Sequence, residues 1–126
     1  ILEVAEAPLG RESEEEIRAA LEKEGKQILK LADAGGPNFL IALDIEGKSL
    51  DSLAFADKIK ALALSGKSRI VFVIGSSHGL SKEVFSQTDM RLSFSAMTFP
   101  HQLVRIVLLE QIYRAFKINR KEVYHK

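Results

Sequence analysis

The chain contains no cysteine and no tryptophan among its 126 residues, and aromatic residues make up only 7% of it. Without cysteine, disulfide scaffolds, thiolate metal sites and cysteine nucleophiles are all excluded. No uninterrupted apolar run reaches the roughly 18 residues that a membrane span needs, and no basic start followed by an apolar stretch resembles a signal peptide. These absences predict a cytoplasmic protein that does not contact a membrane.

Hydrophobic residues account for 46% of the chain, which is enough to bury a core without metals or cross-links. No repeat, linker or low-complexity tract divides the sequence, so residues 1–126 are expected to form one domain. The net charge of +1 hides an asymmetry. Residues 1–63 carry 13 acids and 8 bases, whereas residues 64–126 carry 4 acids and 10 bases. The basic end is suited to phosphates if its charges share a face, but a solvated tail is the plainer interpretation.

Apolar runs and breaker residues alternate in a way that predicts strands and helices in turn. Strands are predicted at 1–5, 39–43, 70–74 and 91–95, and helices at 13–32, 52–64, 81–87 and 100–117. Strand 70–74 is predicted to be central, and residues 45–48 to form a turn. This order predicts an α/β fold with a largely parallel sheet flanked by helices.

In such a sheet, ligands bind outside the carboxyl ends of the strands, which here are the loops after Leu43, after Ile74 and over 95–100. The loop after Ile74 fits neither the phosphate-loop motif nor the dinucleotide motif, because its glycines lie four residues apart and no Lys-Ser/Thr pair follows. Gly75 leaves space for a flat or bulky ligand against backbone amides, although a turn glycine without a ligand explains it equally well. The last helix is apolar on nearly all sides, which predicts burial in the core and against a second subunit.

The three histidines, His78, His101 and His125, lack the spacing of metal ligands, so no metal site is predicted. His101 follows Pro100 at a helix N-terminus, where the helix dipole favours a neutral ring that can accept a proton. Capping or packing is the more common role of a histidine at such a position.

Several charged residues have more than one interpretation. Asp44, at the end of a strand, orients a ligand or closes a turn. Glu110 and Arg114 have the i, i+4 spacing of an ion pair. Arg105 has no acid within a turn, so it is expected to reach another element or an anionic ligand.

Four segments together resemble the ribosomal RNA large subunit methyltransferase H family of SPOUT-class enzymes. They are FVIG at 72–75 with GL at 79–80, LSFSAMTFPHQL at 92–103, EQIYRA at 110–115 and YHK at 124–126. The resemblance covers essentially the whole chain. It implies a homodimeric methyltransferase with a C-terminal trefoil knot, S-adenosyl-L-methionine as methyl donor, and ring nitrogen 3 of a pseudouridine in large-subunit rRNA of the assembled ribosome as acceptor.

Carried over position by position, the resemblance implies two sets of site residues. The cofactor contacts are Leu43, Gly75, Phe94, Ser95, Ala96, Met97, Thr98 and Phe99. The substrate-facing and catalytic residues are His101, Arg105, Arg114, Tyr124, His125 and Lys126. An imide nitrogen is mostly protonated at neutral pH, so His101 or His125 is a candidate base, and Arg105, Arg114 or Lys126 a candidate to stabilise the anion.

The chain departs from the family pattern at three positions. Ser76 and Lys121 stand where the family usually has glycine, and Val123 stands where it usually has proline. The family also has a further strand and helix before the position of Ile1, which itself lies in an apolar stretch. Two other functions stay open: a catalytically idle ribosome-binding module of the same fold, and a flavodoxin-like nucleotide or flavin binder.

Overall fold

The computed structural model describes residues 2–4, 13–33, 38–67, 69–76 and 78–126. Its elements are α1 (Glu14–Asp33), β1 (Asn38–Ser49), α2 (Ser52–Leu64), β2 (Arg69–Val73), α3 (Lys82–Gln87), β3 (Met90–Ser93) and α4 (His101–Asn119). The three strands form one parallel sheet in the order β2-β1-β3. The predicted α/β fold with a parallel sheet flanked by helices is confirmed, and the trefoil knot stays a prediction.

The position of the strands corrects two sequence-based expectations. Strand β1 is central, so the prediction that 70–74 forms the central strand is wrong. Residues 45–48 continue β1 rather than forming a turn, with a register shift against β3 between Leu43 and Lys48. Gly47 belongs to this irregular stretch, where a Cβ would lie 2.7 Å from the carbonyl carbon of Arg91. The glycine therefore allows two backbones to approach at a bulge, whereas the sequence pattern suggested a reversal of the chain.

The amino-terminal strand predicted at 1–5 is absent from the part of it that the structure describes, since residues 2–4 are irregular. Ile1 and Ala5 lie outside the described residues. The helix that follows agrees with its prediction: the Ser13 hydroxyl accepts a hydrogen bond from the Glu16 amide at 3.2 Å, as the capping-box spacing indicates.

Strand β1 is covered on both faces because its residues alternate between two apolar clusters. Leu40 and Ala42 pack with Ala32 of α1, Val73 and Val84 of α3. Ile41 points the other way, into a second cluster with residues of α2, β3 and α4, namely Phe55, Ala56, Ile59, Leu92 and Ala115. The sheet therefore has α1 and α3 on one face and α2 and α4 on the other.

Helix α4 packs one side against α2 and leaves much of its apolar surface uncovered. Leu108 and Ala115 are buried, and Asn119 donates a hydrogen bond of 3.0 Å to the carbonyl oxygen of Ala56. Large apolar side chains elsewhere on the helix are exposed, namely Leu103, Ile106, Val107, Leu109, Tyr113 and Phe116. These exposed residues are the ones that the expected second subunit would cover.

Among the described residues, no helix has the length and apolar character needed to cross a membrane. The same part of the chain holds no group of three or more histidine, aspartate or glutamate side chains placed to bind a metal ion.

Candidate active site at the carboxyl ends of the strands

Two of the three loops predicted from the sequence follow the carboxyl ends of strands β2 and β3, whereas the loop predicted after Leu43 is wrong, because β1 continues to Ser49. In the sheet, Ala42 lies beside Val73 and Leu43 lies beside Leu92. Neighbouring strands are about 5 Å apart. Gly75 follows Val73 by two residues and Phe94 follows Leu92 by two, so they extend from β2 and β3 on either side of Leu43. Both loops therefore start at the same edge of the sheet.

The loop after β2 folds back on the glycine that begins it. The Gly79 amide donates a hydrogen bond of 2.9 Å to the Ser76 carbonyl, and these two residues form an isolated antiparallel bridge. A Cβ on Gly75 would lie 2.7 Å from the Gly79 carbonyl carbon and 3.0 Å from the Leu80 Cγ. Close approach of the protein's own backbone is therefore sufficient to require glycine at position 75.

The loop after β3 is anchored at its start and exposed beyond it. The Ser93 hydroxyl lies 3.1 Å from the Ile45 carbonyl oxygen and 3.0 Å from that of Ser95, and the Ser95 hydroxyl accepts from the Met97 amide at 3.0 Å. Phe94 is half-buried and packs against the second core cluster, as Leu43 does. The exposed residues of the loop are Ala96, Met97, Thr98 and Phe99.

A cavity of about 290 Å³ lies between this loop, the start of α2 and α4. Its lining includes the apolar side chains of Phe55, Leu92 and Phe94 and the polar side chains of Ser52 and Gln111. The Ser52 hydroxyl donates a hydrogen bond of 2.7 Å to Gln111 Oε1.

The last residues of the chain, 120–126, here called the tail, fold back on α4 around Glu110. Arg114 donates to the Glu110 carboxylate through Nε at 3.0 Å and through Nη2 at 2.7 Å. The Tyr124 hydroxyl donates to the same carboxylate at 3.2 Å, and the Tyr124 ring packs edge-on against Tyr113 with centroids 5.0 Å apart. His125 Nδ1 lies 3.0 Å from Arg114 Nη1.

Ion pairs shift the pKa values of the charged side chains that hold the tail. The Arg114 guanidinium lowers the pKa of the Glu110 carboxyl, and partial burial opposes this effect more weakly. The same contact raises the pKa of Arg114. Lys117 forms an ion pair with Glu122, which lowers the pKa of the Glu122 carboxyl and raises the pKa of Lys117. At neutral pH the carboxylates that secure the tail are therefore ionised.

Hydrogen bonds connect the tail to the cavity. Gln111 Nε2 donates to Glu110 Oε2 at 3.0 Å, and Gln111 Oε1 accepts from Ser52 in the cavity wall. The sequence predicts Glu110 only as an ion-pair partner and gives no indication that Ser52, Gln111 or Tyr113 belongs to the site. The adjacent polar pair Glu110-Gln111 in the middle of α4 is the signal that could have indicated this network, but its partners come from segments distant in sequence.

The predicted catalytic residues fall into two groups within one chain. Arg114, Tyr124 and His125 are in contact, and Lys126 follows them at the exposed end of the tail. His101 and Arg105 lie at the other end of α4, and thirteen residues of helix separate His101 from Arg114, a rise of about 20 Å. His101 is exposed and contacts the neighbouring Gln102 side chain at 3.5 Å.

Two charged residues have partners within the protein. Arg105 forms an ion pair at 2.6 Å with Glu3, so it has a partner distant in sequence, in the irregular segment 2–4 rather than in a helix or strand. Asp44 accepts a hydrogen bond from the Glu46 amide at 3.3 Å and pairs with Arg91 at 3.5 Å. The expectation that Asp44 closes a turn at the end of a strand is wrong, because Asp44 lies inside β1 and pairs with Arg91 of the neighbouring strand β3.

Comparison with known proteins identifies relatives along nearly the whole chain. Residues 1–125 match the family described as "Predicted SPOUT methyltransferase". The chain is 56% identical over 115 residues to the ribosomal RNA large subunit methyltransferase H of Bacillus cytotoxicus, a match that covers 90% of this chain and 70% of that protein. It is 52% identical over 111 residues to the protein of the same name from Carboxydothermus hydrogenoformans, covering 88% and 69%. The chain therefore belongs to the ribosomal RNA large subunit methyltransferase H family of SPOUT methyltransferases.

Proposed function

We propose that this protein transfers a methyl group from S-adenosylmethionine to ring nitrogen 3 of a pseudouridine in large-subunit rRNA, on the assembled ribosome. The observation that carries the proposal is the connection between the loop after β3 and the tail. Gln111 lines the cavity beside Phe94 and bonds to Glu110, which holds Arg114 and Tyr124. The names of the relatives support rRNA as the substrate class.

The residues at the carboxyl ends of the strands fit a nucleoside-containing donor. The exposed loop at 96–99 offers backbone groups to a ligand, and the half-buried Phe94 ring offers an apolar surface for a flat base. Leu43 contributes from the central strand. Gly75 contributes through the bare backbone of its loop, although Gly79 already occupies the space where a Cβ would stand. When bound, S-adenosylmethionine supplies a methyl group on a positively charged sulfur, a carrier that is already activated.

The protein's own residues then have to orient the nucleobase and favour loss of the proton from its nitrogen. The candidates for these roles are His101, Arg105, Arg114, Tyr124, His125 and Lys126. Arg114, Tyr124 and His125 have the stronger support, because they already form one cluster on α4. The anion that remains spreads over the flanking carbonyl oxygens, which hydrogen-bond donors of this cluster can stabilise.

The proposed substrate also accounts for the charge distribution. The basic second half of the chain would meet rRNA phosphates while the acidic first half faces away. We further propose that residues 1–126 form one domain, that the protein acts in the cytoplasm, and that it is a homodimer whose contact covers the exposed apolar residues of α4.

Methyl transfer to ribosomes that lack this modification tests the proposal. Labelled S-adenosylmethionine should label large-subunit rRNA, and nuclease digestion with mass spectrometry should place the methyl on nitrogen 3 of one pseudouridine. Ala96→Trp, which fills the exposed loop after β3, should reduce the rate about a hundredfold by displacing the donor.

Ala61→Trp, on the exposed side of α2, is the matched control and should label normally. Equal labelling by the wild type and Ala96→Trp would exclude the proposed donor site. Calorimetry that detects no donor binding at millimolar concentration would instead favour an idle ribosome-binding module.

A further inference from the structure

The contact between Arg114 and His125 fixes where the histidine carries its proton. Arg114 Nη1 lies 3.0 Å from His125 Nδ1. A guanidinium has only N–H donors and no lone pair to offer, so Nδ1 must accept this hydrogen bond. A neutral ring that accepts at Nδ1 carries its single proton on Nε2.

Other contacts hold Arg114 in this orientation. Two of its nitrogens, Nε and Nη2, donate to the Glu110 carboxylate, which leaves Nη1 directed at the histidine. The Tyr124 ring lies 4.9 Å from the centre of the guanidinium, and its hydroxyl donates to the same carboxylate. Because the planar guanidinium cannot turn without breaking several of these contacts, the direction of Nη1 is well defined.

We propose that His125 acts in methyl transfer as a hydrogen-bond donor through Nε2–H, and that Arg114 is the positioning residue that imposes this role. The inference rests on the proposed function and deepens it by assigning the two residues different roles. A ring with Nδ1 occupied and Nε2 protonated has no free lone pair, so His125 in the docked tail is excluded as the base. Its N–H can instead donate to a carbonyl oxygen flanking nitrogen 3.

The proposed step is balanced without a co-reactant. The proton of nitrogen 3 passes to water, and the resulting negative charge spreads over nitrogen 3 and its flanking carbonyl oxygens, one of which accepts from His125 Nε2–H. The nitrogen lone pair then forms a bond to the methyl carbon. The carbon–sulfur bond breaks with its electron pair left on sulfur, which becomes neutral. His125 keeps its proton throughout.

Nuclear magnetic resonance of the histidine rings tests the tautomer without reference to activity. In protein labelled with heavy nitrogen in histidine, long-range proton–nitrogen correlations at neutral pH should show His125 with a bare Nδ1 and a protonated Nε2. His78→Gln and His101→Gln identify the other two rings. Arg114→Met should let the proton exchange between both nitrogens, whereas Arg91→Met, whose native partner is Asp44, should leave the pattern unchanged.

Substitutions of His125 test the donor role. The amide nitrogen of glutamine can take the place of Nε2–H, whereas the shorter asparagine reaches only the position of Nδ1, and neither amide is a base. His125→Gln should retain methyl transfer within about tenfold of the wild type, whereas His125→Asn and His125→Ala should lose about a hundredfold or more, as expected for loss of one donor to a developing oxyanion.

Two results would overturn the inference: a wild-type His125 with its proton on Nδ1 or averaged over both nitrogens, or equal losses in the glutamine and asparagine variants. Absence of methyl transfer by the wild type would contradict the proposed function instead. The resonance measurement distinguishes these failures because it needs neither donor nor rRNA.

Discussion

At the scale of single residues, Lys121 is a point of local strain at the end of α4. Its φ of 58° lies in the left-handed region, where a side chain is unfavourable and glycine is not. The Lys121 amide donates to the Ile118 carbonyl at 3.0 Å, and the Glu122 amide to the Lys117 carbonyl at 2.9 Å. These two bonds form a Schellman motif with lysine at the position that glycine usually occupies.

Lys121→Gly should therefore raise the free energy of unfolding by about 1 kcal/mol, because it removes the left-handed strain while keeping both hydrogen bonds. Urea denaturation followed by circular dichroism measures the change. Lys121→Ala is the matched control and should alter stability by less than about 0.5 kcal/mol, since alanine keeps the strain. A glycine variant no more stable than the alanine variant would show that the motif is not strained.

Residue-scale reasoning from the sequence succeeded where chemistry is local. The ion pair between Glu110 and Arg114 follows from their helical spacing. Arg105 has no acid within one turn of its helix, which predicted that its partner would be distant in sequence, as Glu3 is. The hydrogen bond between Arg114 and His125 could not be derived in this way. It depends on the left-handed turn at Lys121, which returns the tail to α4 and leaves no compositional trace.

At the scale of elements, docking of the tail on α4 should depend on pH through its carboxylates. The pKa of Glu110 is lowered in the docked state, so its contribution is complete above the ordinary value of 4.5 and is lost as the pH falls through the lowered value. Glu122, whose pKa is lowered by Lys117, acts in the same direction.

The chain offers a direct optical probe of this docking, because it has no tryptophan and its only two tyrosines, Tyr113 and Tyr124, contact each other. The near-ultraviolet circular dichroism of tyrosine should decrease as the pH falls below about 4.5, while the helical far-ultraviolet signal persists. Glu110→Gln should weaken the tyrosine signal already at pH 7. A tyrosine signal that changes only together with the helical signal would contradict independent docking.

Element-scale predictions succeeded best for helices with clear caps. Helix α2 spans the predicted residues, since Asp51 caps its start by accepting from the Ala54 amide at 2.7 Å and Gly66 follows its end with a φ of 86°. The order of the strands was harder to predict, because a segment rich in β-branched residues indicates a strand but not its position in the sheet. Gly47 led to a wrong prediction of a turn for a related reason. A turn and a close approach of two backbones both favour glycine, and only the position of the partner strand, here at Arg91, shows which of the two applies.

At the scale of the whole molecule, the exposed apolar side of α4 should mediate self-association. Sedimentation equilibrium should give the mass of two chains at micromolar concentration, and Ile106→Glu should shift the equilibrium to one, because a charge replaces an exposed apolar side chain in the contact. Leu64→Glu, on the exposed end of α2, is the matched control and should leave the mass unchanged. A monomeric wild type, or an unaffected Ile106→Glu variant, would contradict this arrangement.

The sequence predicts a site at the carboxyl ends of the parallel strands, because these ends share one edge of a sheet. The internal organisation of the candidate site could not be predicted from the sequence. The length of α4 determines the distance between His101 and the tail. The hydrogen bond between Ser52 and Gln111 depends on the packing of α2 against α4.

The most direct test of the central claim, a methyl-donor site formed by the strand-end loops, uses the chain's two methionines. Met97 lies in the exposed loop after β3, whereas Met90 begins β3 at the opposite edge of the sheet. With carbon-labelled methionine methyl groups, titration of unlabelled S-adenosylmethionine should shift the Met97 resonance saturably and leave the Met90 resonance in place. No shift of Met97 at millimolar donor, or equal shifts of both resonances, would contradict the account.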